Sequence, residues 1–328
     1  MEHLPQDIAA ARKALDELDG RLATLVAERD EIVRELIRHK GRAPYDPARE
    51  QEIAAADEAL WLPLLRRMRI SEGARVLDIK SEPGAFPADE FTLIAGPCSV
   101  DEHLEETLDG LAAAGVRWAR AGAWKPRTFP WSFQGSGMEG LRKLRAAADA
   151  RGMKVVSEIV SERDAEQASE LVDVVQVGAR NGQNFALLKV LAKLEKPVLL
   201  KRGPAATIEE WLGAAEYLHG QVPVTLCERG IRGFDPCLRN TLDLPGALLA
   251  RRLSGFQTIV DPSHGTGVAG LVAPLVLAAH AAGLDGAIVE AHACPPESPS
   301  DADQALTVAE LGSLWTQLRA ASPQPAGI

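Results

Sequence analysis

The chain has 328 residues, 46% hydrophobic and 25% charged, enough for two soluble domains or for one large α/β barrel with an appendage. Its net charge of −10 argues against general nucleic-acid binding and against an anionic membrane surface, while leaving room for a local arginine cluster that holds a small anion. The four cysteines, Cys98, Cys227, Cys237 and Cys294, form no CxxC pair and are too few for a disulfide framework, which argues against a zinc knuckle and for reduced thiols in the cytoplasm.

The amino terminus, MEHLPQDIAAARKALDE, is amphipathic and charged and lacks the apolar core of a signal peptide. Residues 7–40 carry a helical period, with Ile8, Leu15, Leu18, Leu22, Leu25, Ile32 and Leu36 at heptad spacing and only Gly20 as a weak point. At about 1.5 Å per residue such a helix is roughly 50 Å long, too long to bury its seam in one short domain, so it is expected to pair with another copy. GRAPYDP breaks it, AREQEIAAADEAL starts a second helix, and WLPLLRRMRI reads as a short third helix kinked at Pro63. A strand over Ala74 to Ile79 and a Gly/Pro-rich linker follow. The expected domains are residues 1–72, a linker over 73–89, and 90–328.

After residue 90 short β-rich runs alternate with helical ones: FTLIAG, VRWARAG, KVVSEIV, DVVQVGA, PVLLKRG, VTLCERG, QTIVDPS and GAIVEAH. Eight alternations predict a (β/α)8 TIM barrel, with a doubly wound open sheet as the alternative. No GxGxxG follows a strand, which disfavours dinucleotide binding. The longest apolar run, GVAGLVAPLVLAAHAAG, contains Pro274 and His280 and reads as a barrel helix starting near Pro274 rather than a membrane span. The tail ASPQPAGI is expected to fray.

Polar residues gather at the carboxyl ends of the proposed strands. Cys98 follows the first, Arg120 ends the second, and Lys125, Arg127 and Thr128 come after it. Glu158 ends the third; Gln176 and Arg180 belong to the fourth, Lys201 to the fifth, Glu228 and Arg229 to the sixth. Asp261 and His264 follow the seventh, Glu290 and His292 end the eighth, and Asp301 lies beyond. In a barrel these positions share the face that carries catalytic loops. Arg120, Lys125, Arg127, Arg180, Lys201 and Arg229 are too many cations to bury without anions, which points to phosphate or carboxylate ligands. Cys98, His264, Glu290 and Asp301 offer sulfur, nitrogen and oxygen donors that suit a divalent transition metal; the competing reading of Cys98 is an inert buried thiol.

AGPCSV, KPRTFPWSFQG, SEIV, QVGARNGQNFALLK, PVLLKRG, LCERGIR, DPSHGTG and VEAH occur in this order over residues 91–292. Together they resemble the DAHP synthases (3-deoxy-D-arabino-heptulosonate 7-phosphate synthases), in the short subtype related to 3-deoxy-D-manno-octulosonate 8-phosphate (KDO 8-phosphate) synthase. The resemblance implies a barrel that condenses phosphoenolpyruvate with erythrose 4-phosphate, the first step of the shikimate pathway. It implies one divalent metal ion (manganese, iron, zinc or cobalt) on Cys98, His264, Glu290 and Asp301, acting as a Lewis acid on the aldehyde oxygen. It implies phosphoenolpyruvate contacts at Arg120, Lys125, Glu158, Gln176, Ala179, Arg180, Lys201 and Arg229. Erythrose 4-phosphate would meet Lys125, Pro126, Arg127 and Thr128, with Asp261 and Asp301 near the sugar. Lys125 would protonate or stabilise the developing alkoxide, and Glu158 and Asp261 would handle the water proton. Phe129 and Trp131 stand where such a motif is expected to carry serine and tyrosine, and RAGAW replaces the more usual Arg-Gly-Gly-Ala-Phe/Tyr. The rivals are the sister KDO 8-phosphate activity, which the KPRT motif disfavours, and an inactive metabolite sensor.

In the heptad register Leu15, Leu22, Arg29 and Leu36 share one seam position, flanked by Arg12 and Lys40 and followed by Asp46, Arg49 and Glu50. A guanidinium in a leucine seam calls for an anion. Residues 6–58, RAPYDPARE above all, resemble the all-helical chorismate mutases, whose arginine-rich pocket spans two intertwined chains. The resemblance implies that Arg12, Arg29, Lys40, Asp46, Arg49 and Glu50 line such a pocket in a homodimer or homotetramer. The third helix is short, and no glutamine occurs from residue 52 to 133 to serve the ether oxygen. The domain is expected either to convert chorismate to prephenate or to bind one of them and regulate the barrel; the competing reading is a dimerising helix with a surface arginine, which Arg29 in the seam argues against.

Overall fold

The protein is described here by a computed structural model over residues 8–40 and 84–321. It falls into two units, Met1–Asp78 and Ile79–Ile328. In the first, helix α1 (Ile8–Lys40) runs for 33 residues, as the heptads predict. Its seam is open: Leu18, Leu22, Leu25 and Ile32 are 54–61% exposed. Arg12 is exposed and Arg29 half-buried. The expected second and third helices, the strand over 74–79, residues Asp46, Arg49 and Glu50, the Lys40 side chain and the tail from residue 322 lie outside the described residues.

The second unit is a closed barrel. Strands β1 (Thr92–Gly96), β2 (Trp118–Arg120), β3 (Lys154–Glu158), β4 (Val174–Val177), β5 (Val198–Lys201), β6 (Val224–Glu228), β7 (Gln257–Val260) and β8 (Gly286–His292) pair in sequence order, all parallel. β1 also pairs with β8, Ile94 opposite Ile288, which removes the open-sheet alternative. A ninth strand, β9 (Leu306–Thr307), extends the end of β8. The strands are short Val/Ile/Leu runs because both faces are covered, one by helices and the other by the barrel interior.

The helices between strands are α2 (Leu104–Ala113), α3 (Gly137–Asp149), α4 (Glu162–Ser169), α5 (Phe185–Leu191), α6 (Ile208–Glu216), α7 (Leu244–Ser254), the short α8 (Pro262–Thr266), α9 (Ala269–Ala281) and the last helix, α10 (Val308–Ala320). Thr207 with Glu210 and Thr307 with Glu310 form capping boxes that start α6 and α10. Among the described residues no helix is long and apolar enough to cross a membrane.

The apolar run expected to begin a helix near Pro274 begins it five residues earlier, so Pro274 lies inside α9. Proline there removes the donor to the carbonyl of Gly270. Gly270 is exposed, so water can satisfy that carbonyl and the helix continues.

Inside the barrel, Ile94, Val156, Val174, Leu199, Cys227, Ile259 and Ile288 form the core, and Phe86 closes it from the end opposite the polar strand termini. Phe86 meets Trp118 edge-on at 4.8 Å, and its backbone is tied at both N and O to Gln257. Phe86 and Trp118 thus fill the barrel interior at this end.

Candidate active site

Four segments bring the expected metal ligands together. Gly96 ends β1 at φ 153°, where a Cβ would overlap the Arg120 carbonyl. This lets β1 close on β2 and turn Cys98 into the site. Asp261 caps α8, Oδ1 accepting from the His264 amide at 3.0 Å, and so sets His264. Glu290 stands two residues before the end of the buried strand β8. Asp301 sits at φ 56°, one of two non-glycine residues at positive φ among the described residues.

The donor atoms of Cys98, His264, Glu290 and Asp301 all lie within 4.8 Å of one another. Cys98 Sγ is 3.1 Å from Asp301 Oδ2, and His264 Nε2 is 3.2 Å from Glu290 Oε1. His264 Nδ1 is buried without a hydrogen bond, although Asp261 Oδ2 is only 2.8 Å away. A thiol, an imidazole and two carboxylates this crowded, with His264 Nδ1 turned to Asp261 and Nε2 toward the cluster, fit a divalent cation.

The charges around this set fix its protonation. Burial, then Glu290, pushes the Cys98 thiol up to about 12, against the pull of Lys125 and Arg120. Burial lowers His264 to about 4. Burial opposes ionisation of Glu290, but His264, Arg120 and Lys125 outweigh it and bring Glu290 down to about 2. Arg120 Nη1 donates to Glu290 Oε1 at 2.8 Å, and Lys125 Nζ donates to Cys98 Sγ at 2.6 Å.

Above this set opens a cavity of about 250 Å3. Arg120, Lys125, Pro126, Arg127, Thr128, Glu158, Gln176, Ala179, Arg180, Lys201, Arg229, His264 and Asp301 all line it, so the structure gathers the expected substrate residues on one face. Cys98, Glu290 and Asp261 are buried against these residues without lining the cavity. Lys201 Nζ reaches Asp261 Oδ2 at 2.5 Å, and Gln176 donates to Glu158 at 3.2 Å. Arg120 Nε and Gln176 Oε1 are buried without partners. Burial, then the nearby Arg239 and Arg180, lowers the pKa of Arg229 despite the counter-pull of Asp261. That is the signature of a cluster built for an anion.

Two strand-end groups serve the scaffold. Glu228 accepts from Arg202 at 3.1 Å and from the Gly230 amide at 2.6 Å, and His292 pairs with Asp101 at 2.9 Å. Phe129 and Trp131 stack at 5.0 Å on the rim, 53% and 80% exposed. Arg239, which lines the cavity, and Gln304, beneath it, were not expected from the sequence. Arg239 lies eleven residues beyond the end of β6, outside every strand-end motif, and only the placement of its loop reveals it.

Residues 84–322 match the family model described as the DAHP synthetase I family. A phospho-2-dehydro-3-deoxyheptonate aldolase of Thermotoga maritima is 50% identical over 220 residues, covering 66% of this chain. The chain spans 65% of the length of that relative. A 2-dehydro-3-deoxyphosphooctonate aldolase of Magnetococcus marinus is 29% identical over 256 residues, 70% of this chain and 87% of its own length. The crystal structure of the Thermotoga maritima aldolase (DAHP synthase) superposes with a TM-score of 0.67 at 47% identity, covering 70% of this chain and 69% of that one. A truncated form of 3-deoxy-D-arabino-heptulosonate 7-phosphate synthase from the same organism gives a TM-score of 0.65 at 44% identity, covering 70% and 86%. On its matched barrel, the chain belongs to the DAHP synthetase I family.

Proposed function

We propose that the barrel is a DAHP synthase, joining phosphoenolpyruvate to erythrose 4-phosphate. The observation that carries this reading is the division of cations around the cavity. Arg120, Lys125, Lys201 and Arg239 each meet a carboxylate of the protein, whereas Arg127, Arg180 and Arg229 have no acidic partner among the described residues. Unpaired guanidiniums suit phosphate esters. Arg180 and Arg229 are adjacent and hold the phosphate of phosphoenolpyruvate. Arg127, on the β2 loop with Pro126 and Thr128, holds the sugar phosphate, and this KPRT motif favours the four-carbon sugar.

The reaction forms one carbon–carbon bond, from carbon 3 of phosphoenolpyruvate to the aldehyde carbon. Lys125 Nζ gives a proton to the aldehyde oxygen as that bond forms. Water adds at carbon 2 and Glu158 on the cavity wall takes one of its protons; the carbon 2–oxygen bond to phosphate then breaks as the remaining hydroxyl becomes the carbonyl and its proton leaves with the phosphate. Asp261 acts through Lys201 and His264, which it touches. A divalent ion on Cys98, His264, Glu290 and Asp301 supplies Lewis-acid polarisation of the aldehyde when bound.

The test supplies both substrates and follows phosphate release, with and without a chelator, and repeats it with arabinose 5-phosphate in place of erythrose 4-phosphate. Chelator-sensitive phosphate release with erythrose 4-phosphate is expected. Preference for arabinose 5-phosphate assigns the sister activity, and no release with either sugar leaves the sensor reading.

For the amino-terminal unit we propose a chorismate mutase-like domain that pairs between copies. The open apolar seam of α1, interrupted by Arg29, supports this reading. A chorismate turnover assay on the full chain, with chorismate or prephenate also added to the synthase assay, separates catalysis from regulation. No effect in either assay rejects the binding pocket.

A further inference from the structure

We infer that Arg239 and Gln304 are positioning residues that lock three ligand-bearing segments of the candidate metal centre to one another. This rests on the metal reading above. The connections run as an unbroken path. The Arg239 amide donates to the carbonyl of Thr266 at 3.0 Å, which docks its loop on α8, the helix that carries His264. Gly267, at φ 74°, permits this approach, since a Cβ there would stand 3.0 Å from the Cβ of Arg239. From that anchor, Arg239 Nη1 donates to Asp301 Oδ1 at 3.3 Å and to Gln304 Oε1 at 2.9 Å. Gln304 is 2% exposed, and its Nε2 donates to Glu290 Oε2 at 2.6 Å. Its amide also donates to the Asp301 carbonyl at 3.3 Å, supporting the left-handed backbone of Asp301.

The oxygens engaged are telling. Arg239 takes Asp301 Oδ1 while Oδ2 faces Cys98, and Gln304 takes Glu290 Oε2 while Oε1 faces His264. Each carboxylate is thus held by the bracket at one oxygen and turns the other toward the cluster, where Glu290 Oε1 also accepts from Arg120 at 2.8 Å. The loop bearing Arg239 is itself braced: Ile231 and Thr241 exchange both backbone hydrogen bonds at 2.9 Å. Partners of this kind fix the orientation of ligating groups, and their loss costs about 10–100-fold in metal affinity.

The experiment titrates Co2+ into the metal-stripped full chain and reads both affinity and the cobalt–thiolate absorption, for the parent, Arg239→Ala, Arg239→Lys and Gln304→Ala. Co2+ affinity is expected to fall about 10–100-fold in both alanine variants and to recover in part with lysine. The thiolate band at saturation should persist, since Cys98 is untouched; Gln304→Ala, which leaves Glu290 Oε2 buried without its donor, should also lower the melting temperature of the metal-stripped chain, so the loss of Co2+ affinity and its partial recovery in Arg239→Lys are the deciding readouts. The double alanine variant should lose less than the product of the two single losses, because both residues act in one bracket. A parent that binds Co2+ while the alanine variants bind it equally well overturns the bracket alone. A parent that binds no Co2+, Mn2+ or Zn2+ overturns the metal site and the bracket with it. If Arg239→Ala fails to fold, Arg239→Lys and Gln304→Ala decide the matter by the same readouts.

Discussion

Lys201→Met removes one half of an ion pair that is nearly sealed from water. Lys201 is 3% exposed and Asp261 1%, with Nζ 2.5 Å from Oδ2. Methionine keeps much of the side-chain volume, so the change deletes charge and donors more than packing. At an effective dielectric of about 20 the attraction at this distance is roughly 7 kcal/mol. Desolvating the two ions costs several kcal/mol each, so the intact pair adds little net stability. Breaking it is another matter. Asp261 keeps the His264 amide and the more distant pull of Arg229 and Arg120 but loses its ion-pair partner, and breaking a buried pair in this way costs about 3–5 kcal/mol. For a domain of this size that lowers Tm by about 6–20 °C. The assay is calorimetry of the metal-stripped barrel transition at neutral pH for Lys201→Met, Asp261→Asn and the double variant. The single changes should each destabilise, and the double variant should recover part of the loss because no lone charge remains. A Lys201→Met barrel that melts within about 2 °C of the parent, or losses that simply add in the double variant, would refute a coupled buried pair. The same variant strips a cation from the cavity wall, so its affinity for phosphoenolpyruvate should fall by about ten-fold or more.

Three further outcomes are expected. Cys98→Ser replaces a thiol that can ionise under a metal with a hydroxyl, so Co2+ affinity should drop by more than the ~10–100-fold that losing an outer partner costs, and the thiolate band should vanish; unchanged affinity makes Cys98 an inert buried thiol. Gly178→Ala places a Cβ against the Glu158 carboxylate, which must swing away and release Gln176. Here kcat/KM should fall on the order of 10²-fold with little change in Tm, and full activity would show that Glu158 is not used where it stands. Asp173 tests the acid limb of stability. Burial opposes its ionisation, but the Val155 amide, Arg145 and Lys154 outweigh burial and hold its pKa below the ordinary carboxylate value. A lowered folded-state pKa gives stability that is present above the unfolded value of about 3.9 and is lost as pH falls through the folded one. Asp173→Asn should therefore be less stable at neutral pH and lose less on acidification; urea midpoints at pH 7 and pH 3 that shift in parallel with the parent would contradict this.

The barrel was legible because each strand is written as a short apolar run with a polar residue at its carboxyl end, and a closed parallel sheet aligns those ends. Arg120, Glu158 and Lys201 end their strands as read, whereas Glu290 stands two residues inside β8, which ends at His292. What strand ends cannot convey is which polar group turns toward the cavity. Glu228 and His292 carry the same signal as Glu158 and Glu290, yet Arg202 and Asp101 hold them to the scaffold. Arg239 and Gln304 escaped because their positions depend on how the loops after β6 and β8 fold across α8, and neither sits beside a strand. Pro274 misled because a helix-start preference is a local rule, and an exposed carbonyl at Gly270 makes an interior proline tolerable.

These placements also explain why the face can hold so many cations in a protein of net charge −10. The paired cations sit deep, each against an acid: Arg120 on Glu290, Lys201 on Asp261, Lys125 beside Cys98 and Asp301. Their charge is neutralised within the fold and orients the acids they touch. Arg127, Arg180 and Arg229 line the cavity without an ion-pair partner among the described residues, and the lowered pKa of Arg229 records burial first and then repulsion from Arg239 and Arg180. A dianionic phosphate relieves that repulsion and is drawn to the unpaired cations, while the paired set stays fixed because its charges are already matched. Selectivity for phosphorylated substrates and rigidity of the ligand set thus arise from one arrangement: acids placed under some cations and withheld from others.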